Sequence, residues 1–135
     1  MLKEEIDMAK IERFEDLQSW QKARQFTNLI YDLAGCSKFA RDFQLRDQIQ
    51  DAAGSVMHNI AEGFDAGTHL EFIRFLKIAR RSASEVQSEL YLALDRNYIN
   101  QDELSLAYNL AVETRRLING LIAYLRRSKA EFHNH

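Results

Sequence analysis

The stretch FQLRDQIQDAAGSVMHNIAEGF, Phe43 to Phe64, decides the fold. Leu45, Ile49, Ala52, Ala53, Val56, Ile60 and Phe64 recur at the spacing of one helix face, so the segment reads as a long helix with a core stripe. Gln48, Ala52, Ser55, Asn59 and Glu62 fall along one flank of that stripe. Their steps alternate four and three, the pattern of a packed seam. Ser55 and Asn59 are short enough to let another helix approach closely. Glu62 needs a donor if it is buried.

The signals on either side repeat the theme. Upstream, Leu17, Trp20, Ala23, Thr27, Ile30, Tyr31 and Ala34 predict a helix from about Asp16 to Ala34, with Gly35 placed to end it. Downstream, Gly67 can take the positive backbone dihedral that closes the second helix. THLE then forms a capping box in which Thr68 caps a third helix and Glu71 reaches back. That helix carries Phe72, Leu76, Ala79, Ala83, Val86, Leu90 and Leu94. Asn100 followed by Glu103 repeats the cap for a fourth helix, lined by Leu110, Thr114, Leu117, Leu121 and Leu125. Short connections set neighbouring helices antiparallel. The expected fold is all-α, an up-down-up-down four-helix bundle in one domain over residues 1–135. Residues 1–13 form an N-terminal arm, and residues 130–135 are expected to be a flexible tail.

Two helices carry more than one stripe. Phe75, Ile78, Ser82, Glu85, Glu89 and Ala93 line a second face of the third helix. Leu104, Ala111, Ile118 and Ile122 make a side row on the fourth. Extra rows predict further surface to bury, by subunit contact or by ligand. The bland reading of Ser55, Asn59, Glu62, Ser82 and Glu85 is that they fix helix register, with Arg46, Arg80 and Arg81 as ion-pair partners.

Length and composition favour one globular domain that gains from oligomerisation: 135 residues, 46% hydrophobic and 28% charged, with no proline. The lone Cys36 reads as an ordinary thiol in a reducing cytosol, and a cytoplasmic location is expected. Neither a signal peptide nor a membrane-spanning run is recognisable, so no membrane partner is expected. The net charge of −2 hides an asymmetry, with −4 over residues 1–67 and +2 over residues 68–135. Arg115, Arg116, Arg126, Arg127 and Lys129 supply much of the late excess. Such a cluster is ordinarily a solvated helix end. Its sharper reading is an RNA or DNA surface, with Arg115 paired to Arg126, and Arg116 to Arg127, about three turns apart on outward faces.

Catalytic signals are missing. There is no glycine-rich phosphate loop, CxxC, HExxH or ExxH pair. His58 and His69 stand alone, and His133 with His135 is a weak metal pair in the tail. Glu62 and Glu85 lack a nucleophile or metal set beside them. A non-enzyme without cofactor or metal is expected.

FEDLQSWQKARQFTNLIYDLA, QLRDQIQDAAGSVMHNIAEGF and EFIRFLKIARRSASEVQSELYLAL resemble the four-helix proteins encoded in intervening sequences of 23S ribosomal RNA. Asn59-Ile60-Ala61-Glu62-Gly63-Phe64 is the most specific element, supported by Asp16-Leu17, Trp20, Ala23, Ser82 and Glu85. The resemblance covers roughly Phe14 to Leu125. It implies a four-helix protomer in a ring-like homopentamer, and no known activity. Accessory proteins of diversity-generating retroelements are distantly similar and bind nucleic acid and a reverse transcriptase. By that analogy a nucleic-acid role leads, and a protein-interaction scaffold is the alternative. The family prefers a small residue where this chain has Arg81. There Arg81 either obstructs a close backbone approach or, facing solvent, adds positive charge.

Overall fold

The computed structural model describes residues 10–128. The tail, Lys129, His133, His135 and most of the N-terminal arm lie outside them. The described residues are all-α, with a 3₁₀ turn at Phe14–Asp16 and five helices. These are α1 (Gln18–Ala34), α2 (Ser37–Arg41), α3 (Phe43–Phe64), α4 (His69–Asp95) and α5 (Gln101–Arg127). The four long ones pack in a bundle-like way. α3 lies against α1 and α4, and α5 lies against α4 and α1. No described helix is long and apolar enough to cross a membrane.

The helix ends follow local chemistry. α3 has the expected bounds. Its cap is Asp42, whose Oδ1 accepts from the Leu45 amide at 3.2 Å. Gly67 turns the chain with φ +97°, a conformation that disfavours a side chain. Asn100 and Glu103 close a full capping box, with bonds of 2.8 and 2.9 Å. The expected box at Thr68 is only half made. Its Oγ1 accepts from the Glu71 amide at 3.1 Å, while the Glu71 carboxylate takes Arg74 at 3.0 Å instead. A cation one turn along is a stronger partner for that carboxylate than a neutral amide.

α1 starts two residues later than expected, because Phe14–Asp16 forms the separate turn and Leu17 caps with extended backbone. Gly35 ends α1 with φ −87°, so the left-handed residue here is Ser37 instead, at φ 50°. The short α2 was not foreseen. It buries Phe39, which stacks on Tyr98 at 5.4 Å, and the Tyr98 hydroxyl donates to Asp42 Oδ2 at 2.9 Å. One acid therefore caps α3 and ties down the α4–α5 connection.

The core joins all four long helices. The predicted stripe of α3 is buried apart from half-buried Phe64. α1 corrects the prediction, since Phe26 is buried and Tyr31 is exposed. α5 corrects it further. The side row that suggested spare surface is interior: Leu104 is 4%, Ala111 0%, Ile118 0% and Ile122 2% exposed. Leu110 and Leu117 are the half-buried ones. A helix touching two neighbours buries a face wider than a single stripe. The helix-four argument for a subunit contact therefore falls; on the second face of α4, Ala93 is also buried, while Phe75, Ile78, Ser82 and Glu89 are half-buried and Glu85 is exposed.

Candidate interaction surfaces

Gly63 sets the distance between α3 and α4. A Cβ there would stand 2.8 Å from Phe72 Cδ1, 2.9 Å from Phe75 Cβ and 3.2 Å from the Phe72 carbonyl oxygen. Two helices can meet this closely only where one lacks a side chain. Two turns back, the seam becomes polar. Asn59 Nδ2 donates to the Ser55 carbonyl at 2.8 Å and to Ser55 Oγ at 2.9 Å. Ser55 Oγ in turn shares a 3.0 Å hydrogen bond with Ser82 Oγ on α4. The inter-helix link thus runs through Ser55 and Ser82, with Asn59 buttressing it from its own helix. Asn59 therefore acts on the neighbouring helix only through Ser55, its Nδ2 being satisfied one turn back.

Glu62 departs from the seam reading. It is exposed and makes no hydrogen bond or ion pair among the described residues. It lines an open groove of about 510 Å³ with Phe14, His58, Asp65 and Phe75. Glu85 is exposed as well, and its partner is another acid. Burial, reinforced by the adjacent Glu85 carboxylate, pushes Glu89 up to about 7. Glu89 Oε1 is enclosed with no hydrogen-bond partner among the described residues. The paired carboxylates are therefore Glu85 and Glu89, one turn apart, rather than Glu62 and Glu85. Periodicity alone held this pair, since both residues sit on the second face of α4. The predicted arginine partners are elsewhere: Arg46 pairs with Asp47, Arg80 bonds Asn119 at 2.8 Å, and Arg81 is exposed.

The flank of α4 toward α5 is held by long side chains. Besides Arg80–Asn119, Arg115 Nη1 donates to Gln87 Oε1 at 3.1 Å, and Tyr91 meets Tyr108 edge-on at 5.8 Å. Arg115 is half-buried and Gln87 is buried, so Arg115 is a bundle contact rather than the outward cation expected. Arg116, Arg126 and Arg127 are exposed, and none has a hydrogen bond or ion pair among the described residues. Elsewhere cations do find acids, as in Lys22–Glu113 at 3.5 Å and Arg74–Glu71. The five candidate cations thus divide into one structural residue, three free ones, and Lys129 outside the described residues. Among the described residues no group of three His, Cys, Asp or Glu side chains is placed to hold a metal.

The sequence model of the 23S rRNA-intervening sequence protein family matches residues 15–120, which span the seam, Gly63 and most of α5. The chain belongs to that family. The chain is also similar to the crystal structure of a protein of unknown function from the S23 ribosomal protein family of Bacteroides thetaiotaomicron. The two share 25% identity at a TM-score of 0.71, over 77% of this chain and 97% of that one. No curated protein matches. Within the 23S rRNA-intervening sequence protein family, Asn59-Ile60-Ala61-Glu62-Gly63-Phe64 now has a physical reading. Gly63 permits the close approach, Asn59 braces the serine bridge, and Glu62 faces out.

Proposed function

We propose that this chain is a non-enzymatic, self-assembling interaction scaffold built from antiparallel up-down-up-down bundles. A homopentamer is favoured by the family resemblance. The observation that carries this is the outer α3–α4 flank. Half-buried Phe75, Ile78 and Ser82 lie there on the same face of α4 as Glu89, one carboxyl oxygen of which is enclosed with no hydrogen-bond partner among the described residues. A half-buried apolar row in line with an enclosed carboxyl oxygen is surface that a subunit contact would cover. Light scattering at micromolar concentration is expected to give a mass several times 15.8 kDa. A monodisperse monomer would refute the reading.

A second reading is that the assembly binds RNA or DNA. Exposed Arg116, Arg126 and Arg127, with no acidic partner among the described residues, favour it, and a ring would multiply them. The net charge of −2 weighs against it. Titration of labelled RNA and DNA at low salt separates the readings, because phosphate binding weakens steeply as salt rises.

A further inference from the structure

The flank where α4 meets α5 gathers cations and holds no acid. We infer that a single-stranded nucleic acid lies along it, with its phosphates on Arg126, Lys77, Arg80 and Arg115 and a base on Tyr91. This rests on the nucleic-acid reading above and moves the contact from the outward arginines of α5 to one flank of the protomer.

The first observation is charge. Lys77, Arg80, Ser84, Gln87 and Tyr91 follow one another in steps of three and four, so they share the face of α4 that turns to α5. There Arg80 bonds Asn119, and Gln87 accepts from Arg115. Between Ile73 and Tyr91, α4 has only two acids, Glu85 and Glu89, and both stand with Ser82 on the side that meets Ser55 of α3. Between Tyr108 and Arg126, α5 has only Glu113, which turns to Lys22 of α1. Lys77 and Arg126 are exposed, with no ion pair among the described residues. Arg80 and Arg115 are held by amides, and Arg115 Nε is enclosed with no hydrogen-bond partner among the described residues. An amide orients a guanidinium but, unlike a carboxylate, leaves its charge uncancelled. The other cations of these stretches stand off the flank. Arg74 is tied to Glu71, and Arg81 and Arg116 lie further round their helices.

The second is order. Arg80 meets Asn119, and Tyr91 meets Tyr108, eleven residues on along α4 and eleven back along α5. Carried seven residues the other way, the same register sets Arg126 level with Ile73. The four cations therefore follow one another in steps of roughly 5–10 Å, with the tyrosines at the end, over roughly 27 Å in all. A nucleic-acid strand carries its charges in a line, and a line of spaced cations answers it. The third is Tyr91, which is 50% exposed and meets Tyr108 edge-on. Its ring offers a surface to a base, and only an unpaired base has a free face to lay on it. An acidic polypeptide would use the same cations but leave that ring idle.

Fluorescence anisotropy of labelled oligouridylate with the full chain tests this, at low salt and as salt is raised. Wild type is expected to bind it about tenfold tighter than its duplex with oligoadenylate. Lys77→Glu with Arg126→Glu is expected to weaken binding by about tenfold or more and to flatten its salt dependence. Arg116→Glu with Arg127→Glu makes the same change of charge on the outward side of α5, and is expected to weaken binding by less than about threefold. Tyr91→Ser is expected to weaken it about tenfold with the salt dependence unchanged. Circular dichroism checks that each variant keeps its helix content, and Lys77→Ala with Arg126→Ala replaces the reversal variant if that misfolds. No binding by wild type even at low salt would overturn the nucleic-acid reading and this assignment together. Equal losses from the two double variants would overturn the choice of flank and leave that reading standing. A duplex that binds as tightly, or an unchanged Tyr91→Ser variant, would overturn the single strand. Polyglutamate that displaces the oligonucleotide at equal charge concentration would assign the flank to an acidic polypeptide instead.

Discussion

α4 meets its two flanking helices by opposite means. Toward α3 it is drawn in by what is missing, a side chain at Gly63, and then by the short Ser55–Ser82 bridge. Toward α5 it is held by reach, through Arg80–Asn119, Arg115–Gln87 and the Tyr91–Tyr108 edge contact. A close contact tolerates no added volume and is indifferent to distant charge. A long-side-chain contact tolerates volume but depends on each polar end finding its partner. The two flanks therefore fail under different substitutions.

The largest effect is expected at the close contact. Gly63→Val drives atoms into Phe72 and Phe75 and should cost about 3 kcal/mol in urea unfolding. Gly54→Ala is its control. The nearest atom to a Cβ there is His58 Nε2 at 3.8 Å, an ordinary contact, so gained helix propensity should stabilise by about 1 kcal/mol. Equal signs for the two would refute the comparison. Across the other flank, Arg115→Leu strands the buried Gln87 carbonyl and should cost about 2 kcal/mol. The double variant Arg115→Leu with Gln87→Leu should recover part of that loss in the same assay.

A smaller effect concerns pH. Glu89 binds its proton more tightly folded, with a pKa near 7, than at its ordinary value of 4.5. The folded state therefore gains most below the ordinary value, and stability falls as pH rises toward about 7. Glu89→Gln should remove that slope. At about pH 8 it should exceed wild type by on the order of 1 kcal/mol after solvent screening, with near parity at about pH 4. Denaturation at both pH values checks it in the unassembled protein. The smallest effect is Glu62→Ala, which should leave melting of the isolated protomer within about 0.5 kcal/mol, because the side chain is exposed and unbonded.

The family motif illustrates what sequence makes legible. α3 carried a clean stripe with two small polar residues beside it, so its bounds and the polar part of its seam could be read from spacing, whereas spacing put Glu62 in the seam and passed over Gly63. α5 was misread because two neighbours bury two adjacent rows, and a single stripe cannot say which row faces inward. Arg115 was misplaced for the same reason. It lies at the edge of the buried face, where one polar partner on α4 decides between core and solvent. The Glu85–Glu89 pair was visible as a spacing, but its enclosure depends on how α4 sits against the bundle. α2 was invisible because five residues cannot show a helical period.

The order of contacts around the bundle bears on how the chain reaches this state. α3, α4 and α5 follow one another through short connections and pack against their immediate successors, so their pairings close small loops. The packing of α1 on α5 joins the first long helix to the last and closes nearly the whole chain. Loop-closure entropy makes that the late step of folding. Its polar tie is the half-exposed Lys22–Glu113 pair, weak as such pairs are. Thr27 Oγ1 anchors α1 instead to α3, bonding the Ala53 carbonyl at 3.0 Å. The α1–α5 edge is thus the one expected to open first, leaving α3 and α4 clasped around Gly63.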